Sequence, residues 1–262
     1  MTWNWQQAYW PHFSYDPAKI EASEKQLLMG TGLLFGAFKH LADEDKQQLI
    51  IELISNEALK TSAIEGEYLD RDSLQSSILR QFGLVSDNRK ISAAEQGIAE
   101  VMVDLYRNFE APLSHAKLFE WHTMLTNGRR DLNDIGRYRT HTEPMQIVSG
   151  AIYAPKIHFE APPSSQMLAE MERFISWFND SAPTGTKPLS ALLRAGIAHL
   201  YFVSIHPFED GNGRIGRALA EKALAQCLGQ PTLIAIAYTI ERNKKKAYYS
   251  ALEQANRHNE IT

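Results

Sequence analysis

The sequence predicts an all-α fold that carries one small β-hairpin. Apolar residues recur at three- and four-residue spacing through most of the chain, which is the helical period. Strand-like character is confined to residues 145–159, and Gly229 followed by Pro231 is a clean helix stop. At 262 residues the chain has room for one or two domains at ~150 residues each and can bury a sizeable core. No repeat or low-complexity linker forces a cut. An N-terminal helical segment (1–90) and a larger body (91–262) are therefore expected to pack as one globular unit.

In chain order, amphipathic patterns run over about residues 23–40, 44–65, 92–108, 114–125 and 163–180. They resume over 187–205, 212–228 and 244–256, with residues 181–187 (SAPTGTK) as an interhelical loop. Lys244–Lys246 reads as a solvated face. The exception is the hairpin, where Met-Gln-Ile-Val and Ala-Ile-Tyr-Ala flank Ser149-Gly150 as a two-residue turn. Pro155 cannot donate to a ladder, so the hairpin should be a sheet edge or stand alone, and it needs a surface to pack on.

Composition excludes several functions. A formal net charge of −4 and a pI near 6.1 argue against a nucleic-acid binder that works by bulk electrostatics, and no basic recognition helix is visible. Cys227 is the single cysteine, which rules out intramolecular disulfides and thiolate metal clusters. Met1–Asp16 is aromatic and polar, without the basic stretch and apolar run of a secretory signal. Leu233–Ile240 is too short to span a bilayer. A cytoplasmic protein with no membrane partner is expected.

The informative segment is His206-Pro207-Phe208-Glu209-Asp210-Gly211-Asn212-Gly213-Arg214-Ile215-Gly216-Arg217. The helix before it must end near His206, because Pro207 disfavours the α conformation in its predecessor. Gly211-Asn212-Gly213 supplies permissive backbone where the loop enters the next helix, and free N–H groups at that start form an anion cradle. Arg214 and Arg217 stand i,i+3 and project from one side of the first turns. Two cations at a helix N-terminus oppose its dipole, and a local rule broken this way points to function, here the binding of a polyphosphate. Asp210 suits one or two inner-sphere contacts to a Mg²⁺ otherwise held by phosphates and water. His206 has the ordinary pKa closest to 7 beside this cradle and is the natural general base. Singly, each residue has a plainer role: Arg217 could pair with Glu221 at i,i+4, His206 could bond a carbonyl, and Asp210 could cap the helix. Together in one short segment they favour chemistry.

Residues 206–217 resemble the signature of the Fic (filamentation induced by cAMP) family, HPFx(D/E)GNGRxxR, with every fixed position filled. The Trp-rich N-terminal segment, the hairpin and the helix after the motif are also similar to bacterial Fic proteins. The resemblance implies a Fic-type helical bundle with a β-hairpin flap (145–159) before the catalytic motif and a catalytic core over 91–262. It implies a protein adenylyltransferase, which moves AMP from ATP to a Ser, Thr or Tyr hydroxyl of a target protein or of itself and releases pyrophosphate. In those terms His206 is the base, Asp210 the Mg²⁺ ligand, and Gly211, Asn212, Gly213 and Arg214 the phosphate cradle. Arg217 would reach the terminal phosphate.

Helical counting places Ile50, Ile54, Thr61 and Glu65 on one stripe, so Glu65 continues an apolar face and should be partly buried, with Gly66 as its C′ residue. A lone carboxylate there is costly without a cation. Thr61–Gly66 resembles the Fic inhibitory motif (S/T)xxxE(G/N) of the class with an N-terminal inhibitory helix, which implies that Glu65 pairs with Arg217 and blocks productive placement of the γ-phosphate. Tyr248, Tyr249 and Asn256 resemble the family's adenosine contacts; a tyrosine can stack on a purine, and the same spacing also suits a core helix. As a flap, the hairpin would bind a target segment by β-augmentation, with Val148 and Gly150 as backbone contacts.

Within this fold, other members transfer UMP, phosphocholine or phosphate, or remove AMP; Asp210 and the unbroken GNGR favour a nucleoside triphosphate with Mg²⁺. These residues do not settle the base, and the alternatives are transfer of another phosphate-containing group, de-AMPylation at the same site with Glu65 aligning a water, or a nucleotide-sensing module with negligible turnover. Self-association as a homodimer stays open. Related bacterial chains often continue into a C-terminal winged-helix module, whereas this sequence stops at Thr262.

Overall fold

A computed structural model of the chain describes residues 2–84, 87, 89–151, 154–241, 245–257, 259 and 261. The described residues form α1 (Pro17–Lys39), α2 (Asp43–Ile64), α3 (Arg71–Gln81), α4 (Ala93–Asn108) and α5 (His115–Leu125), then the strands β1 (Gln146–Ala151) and β2 (Ala154–Glu160). α6 (Met167–Asp180), α7 (Ala191–Ile205), α8 (Asn212–Leu228), α9 (Ile236–Thr239) and α10 (Lys245–Ala255) follow. The all-α class with one hairpin holds. Lys244 lies outside the described residues.

The helix starts follow from local chemistry. Asp16 accepts the Ala18 N–H ahead of Pro17, Ser114 accepts the Lys117 N–H, and Ser92 and Glu95 form a reciprocal capping box at α4. Helix α3 was not expected from periodicity. Its RDSLQSSILRQ sequence has few apolar residues, yet Leu74 and Ile78 at i,i+4 are fully buried and Asp70 caps it through the Ser73 N–H. Helix α9, a single turn inside the apolar 233–240 run, was also unforeseen.

The hairpin turn differs from the expected position. Gln146 pairs with Glu160, Gly150 with Pro155 and Ala151 with Ala154, with an irregularity between Ile147 and Val148. Ser149-Gly150 therefore belongs to β1 and is not the turn; residues 152 and 153 lie outside the described residues. Gly150 uses its conformational freedom (φ 95°) inside the strand, opposite a proline that has no N–H to give.

Helices α7 and α8 run back along each other and form the centre of the molecule. Gly216 permits this approach, since a Cβ there would sit 2.8 Å from Val203 Cγ1. Around the pair, Leu118, Trp121, Phe174, Phe178, Tyr201, Phe202, Phe208, Ile215 and Leu219 are fully buried in one continuous core. Each such side chain contributes about 1.5–3 kcal/mol. Helix α2 joins this core through Ile51, Ile54 and Ala58, so the N-terminal segment and the body share one apolar interior. A second, small cluster anchors the hairpin: Trp3 meets Phe159 edge-on at 5.4 Å, and the Trp5 indole donates to the Glu160 carbonyl at 2.6 Å. The Trp-rich N-terminus is the surface that an isolated hairpin needs.

Close packing of α4 on α5 requires Gly97, where an added Cβ would lie 1.9 Å from the Met124 carbonyl oxygen. Gly97→Ala should lower unfolding free energy by ~2 kcal/mol or more in a denaturant titration; an unchanged midpoint contradicts this packing.

Candidate functional site

The loop from α7 to α8 is built to present His206. It is the only described non-glycine residue with positive φ, at 52°, and its N–H still closes the last turn of α7 onto Phe202 O. Such a conformation costs ~1–3 kcal/mol and persists where the surroundings fix it. They do. Arg139, 1% exposed, donates from Nε to the His206 carbonyl at 2.8 Å and from its backbone N–H to Pro207 O at 2.9 Å. Phe208 stacks on the His122 ring at 4.1 Å, and Asn212 clamps the Phe208 backbone, accepting its N–H at 2.9 Å and donating to its carbonyl at 2.7 Å.

The imidazole itself is held neutral with one nitrogen unengaged. Its Nδ1 lies 3.3 Å from Val203 O, an acceptor only, so Nδ1 carries the proton and Nε2 keeps its lone pair. Burial pushes its pKa down to about 4; the nearby Arg139 adds to this, against the opposing Val203 hydrogen bond and the Glu65 and Asp210 charges. His206 is neutral at pH 7.

Helix α8 begins with Gly211 at φ 81° and no side-chain cap, so its first N–H groups are left for an anion. Arg214 and Arg217 reach back along this end with side chains 6% and 2% exposed. Each is held by a carboxylate from the end of α2. Arg217 pairs with Glu65 at 2.7 Å and donates to Thr61 Oγ1 at 2.7 Å and Thr61 O at 2.9 Å. Burial pulls the Arg217 pKa down, but Glu65 and Tyr248 outweigh it and the net shift is upward, so the guanidinium stays charged. Arg214 pairs with Glu67 at 2.6 Å, while its buried Nε has no hydrogen-bond partner. That orphaned donor at a glycine-started helix end fits an absent anion. Glu65 rests directly over Gly213, where a Cβ would fall 2.1 Å from Glu65 Oε1.

Asp210 accepts its neighbour Gly211's N–H at 2.6 Å and Arg129 at 2.5 Å, and lies 3.8 Å from Arg214. Burial raises the Asp210 pKa, but Arg129, the Gly211 N–H and Arg214 outweigh it and the net shift is downward. Glu209 fixes the same loop from the other side by accepting the Asn133 and Asp134 N–H groups at 2.7 and 2.6 Å.

Most of the sequence-derived residues thus converge: His206, Asp210, Gly211, Gly213, Arg214 and Arg217 with Thr61 and Glu65. Glu65 is the C-cap of α2 rather than part of its last turn, with its side chain 35% exposed. Asn212 spends its amide on Phe208, which leaves only its backbone to the cradle. Glu221 does not pair with Arg217; it accepts from Thr232. Tyr248 joins the site, with its hydroxyl 2.8 Å from His199 Nε2 and 3.5 Å from Arg217. Tyr249 is half-exposed and donates to Ile64 O at 3.2 Å. Asn256 is buried beside Asn4 and Ser204, the latter in the last turn of α7. Val148 and Gly150 lie on the exposed face of β1. Sequence reasoning missed Glu67, Arg129, Arg139 and His122, whose roles rest on contacts between distant segments.

Comparison with known proteins agrees with this geometry. Residues 112–224, which include the whole His206–Arg217 segment, match the Fic/DOC family. The chain carries a Fic/DOC domain. Residues 3–84, which include Thr61, Glu65 and Glu67, match a domain of unknown function, DUF4172. The chain is 24% identical to protein adenylyltransferase fic-1 of Caenorhabditis briggsae over 95% of its length and 49% of the relative's. It is 36% identical to protein adenylyltransferase Fic of Drosophila willistoni over 36% of this chain and 18% of that protein. The chain spans about half the length of the first of these relatives. A Fic family protein from Desulfovibrio desulfuricans G20 superposes with a TM-score of 0.67 at 22% identity, covering 97% of this chain and 71% of that one. The helical bundle with its hairpin is a Fic fold.

The burial of His206 in this Fic domain has a measurable consequence. Its imidazole should show no protonation between pH 8 and 5.5 by NMR, with a midpoint near 4. Because its folded pKa lies below the ordinary 6.5, the associated stability is fully present above that value and is lost as pH falls toward 4. A midpoint at or above 6.5 contradicts the geometry.

Proposed function

We propose that this Fic domain is a protein adenylyltransferase restrained by its own Glu65. The observation that carries the reading is the α8 N-terminus: uncapped, begun by Gly211, flanked by two buried arginines on carboxylates and faced by a neutral histidine. The names of the relatives above support the same chemistry. ATP is the donor, its phosphates replacing Glu65 and Glu67 on the arginines. A hydroxyl of the target attacks the α-phosphorus. The new P–O bond forms as the bond to the β-phosphate oxygen breaks, the proton passes to His206 Nε2, and pyrophosphate leaves against Arg214, Arg217 and the α8 N–H groups. Arg139 and Asn212 hold the loop geometry that makes this placement rigid.

Mg²⁺ fits the site as a companion of the nucleotide. The ionised Asp210 carboxylate lies at the cradle and is not paired to its two buried arginines at hydrogen-bond distance, and among the described residues no group of three metal-ligating side chains exists to hold an ion without phosphates. Bound there, the ion would neutralise phosphate charge. Asp210 would orient it after release from Arg129.

The target is proposed to dock on the hairpin. Ile147, Val148 and Ile157 are exposed, and the two-stranded sheet leaves outer edges for backbone pairing with a peptide that carries Ser, Thr or Tyr. The chain itself is a second acceptor, and a homodimer would present one copy to another. No helix among the described residues is long and apolar enough to cross a membrane; an ATP donor makes the cytoplasm the proposed setting.

Incubation with Mg²⁺ and α-labelled ATP tests the reading. Glu65→Gly should incorporate label at least about ten-fold faster than the native chain, the scale of one charge-assisted hydrogen bond. Adding His206→Ala should remove ~10²–10⁴-fold of that rate. ATP binding without label in any variant contradicts the transferase and leaves a nucleotide sensor.

A further inference from the structure

The resting cradle holds two separate ion pairs. Helix α2 ends in a Schellman turn: Gly66 N–H bonds Ala63 O at 3.1 Å and Glu67 N–H bonds Ser62 O at 3.0 Å, with Gly66 at φ 84°. This turn fixes the backbone of both flanking glutamates relative to α2. Glu65, before the glycine, goes to Arg217; Glu67, after it, goes to Arg214. Among the described residues, the two arginines share no carboxylate at hydrogen-bond distance. Asp210, the other acid near Arg214, is 3.8 Å away and engaged by Arg129.

The pairs also differ in exposure. Glu65 is wedged between Gly213 and a guanidinium that also grips Thr61, so moving it disturbs the end of α2. Glu67 has a side chain 37% exposed, and its carboxylate accepts no other hydrogen bond among the described residues. It can swing into solvent while α2 stays docked. Arg214 does not have that freedom; at 6% exposure it must keep an anion partner.

We propose that Glu67 is a second brake on this site, competing with nucleotide phosphate for Arg214 independently of Glu65. This rests on the reading that the cradle takes nucleotide phosphates. Removing Glu65 then frees only Arg217, and such a variant still binds nucleotide against a competing carboxylate. Because the two pairs use different arginines, Glu67 still competes for Arg214 when Glu65 is gone, and the double variant reads the coupling between these neighbouring pairs.

Calorimetric titration of Mg·ATP into the native chain, Glu67→Gln, Glu65→Gly and the double variant tests this without relying on turnover. Glutamine keeps the shape and removes the charge, and thermal melts verify that each variant is folded. Glu67→Gln should tighten Mg·ATP binding about ten-fold in both the native and the Glu65→Gly backgrounds, the scale expected of a lost charge-assisted competitor. Unchanged or weaker binding in Glu67→Gln and in the double variant overturns the second brake, while label transfer by Glu65→Gly leaves the adenylyltransferase standing. Tighter binding with no label transferred supports the brake and overturns the transferase. Absence of Mg·ATP binding in every variant overturns both.

Discussion

A guanidinium almost wholly withdrawn from water has to be matched, because leaving such a charge unpaired costs several kcal/mol. Arg217 is in that position, 2% exposed on the first turns of α8, where the helix dipole gives it no help. In the resting molecule the match comes from Glu65 and Thr61 at the end of α2. Much else follows from this pairing. It needs a glycine at 213 for space, a glycine at 66 to end α2 at the right residue, and an apolar face on α2 to bring that end to the site. The N-terminal segment shares one core with the His206–Arg217 segment and supplies the arginine's partner.

The same constraint explains why the site can serve both rest and reaction. An anion pocket made by α8 N–H groups and two buried arginines is satisfied either by carboxylates of the chain or by phosphates of a ligand. The geometry around it does not need to change between the two. His206 is fixed by the αL turn, Arg139 and Val203, and Asn212 locks the Phe208 backbone. In the proposed reaction, what exchanges is the occupant of the arginines and of Asp210.

How much of this was legible in the sequence depended on distance along the chain. The end of α7 at Pro207, the start of α8 and the grouping of the motif residues are local, and they appear as expected. Glu65 was reachable because it sits at helical spacing from Thr61 and Ile54. The pairing of Glu67 with Arg214 and of Arg129 with Asp210 joins segments 147 and 81 residues apart, and single-sequence patterns carry no signal for such contacts. The hairpin turn was misplaced because Ser149-Gly150 carries turn chemistry that the strand uses instead to face Pro155. Helix α3 was hidden by serines and glutamine on a segment buried through Leu74 and Ile78. The tryptophans at 3 and 5 anchor the hairpin through contacts some 155 residues along the chain, for which a local pattern carries no signal.

The central claim is that nucleotide phosphate takes the place of Glu65 on Arg217. A crystal structure of the Glu65→Gly variant with Mg²⁺ and α,β-methylene-ATP, whose α–β bridge cannot be cleaved, addresses it directly. The terminal phosphate is expected on the Arg217 guanidinium, the other phosphates on the α8 N–H groups, and His206 Nε2 facing the α-phosphorus. A nucleotide bound away from the α8 N-terminus, or turned so that its α-phosphorus lies out of reach of His206, contradicts it.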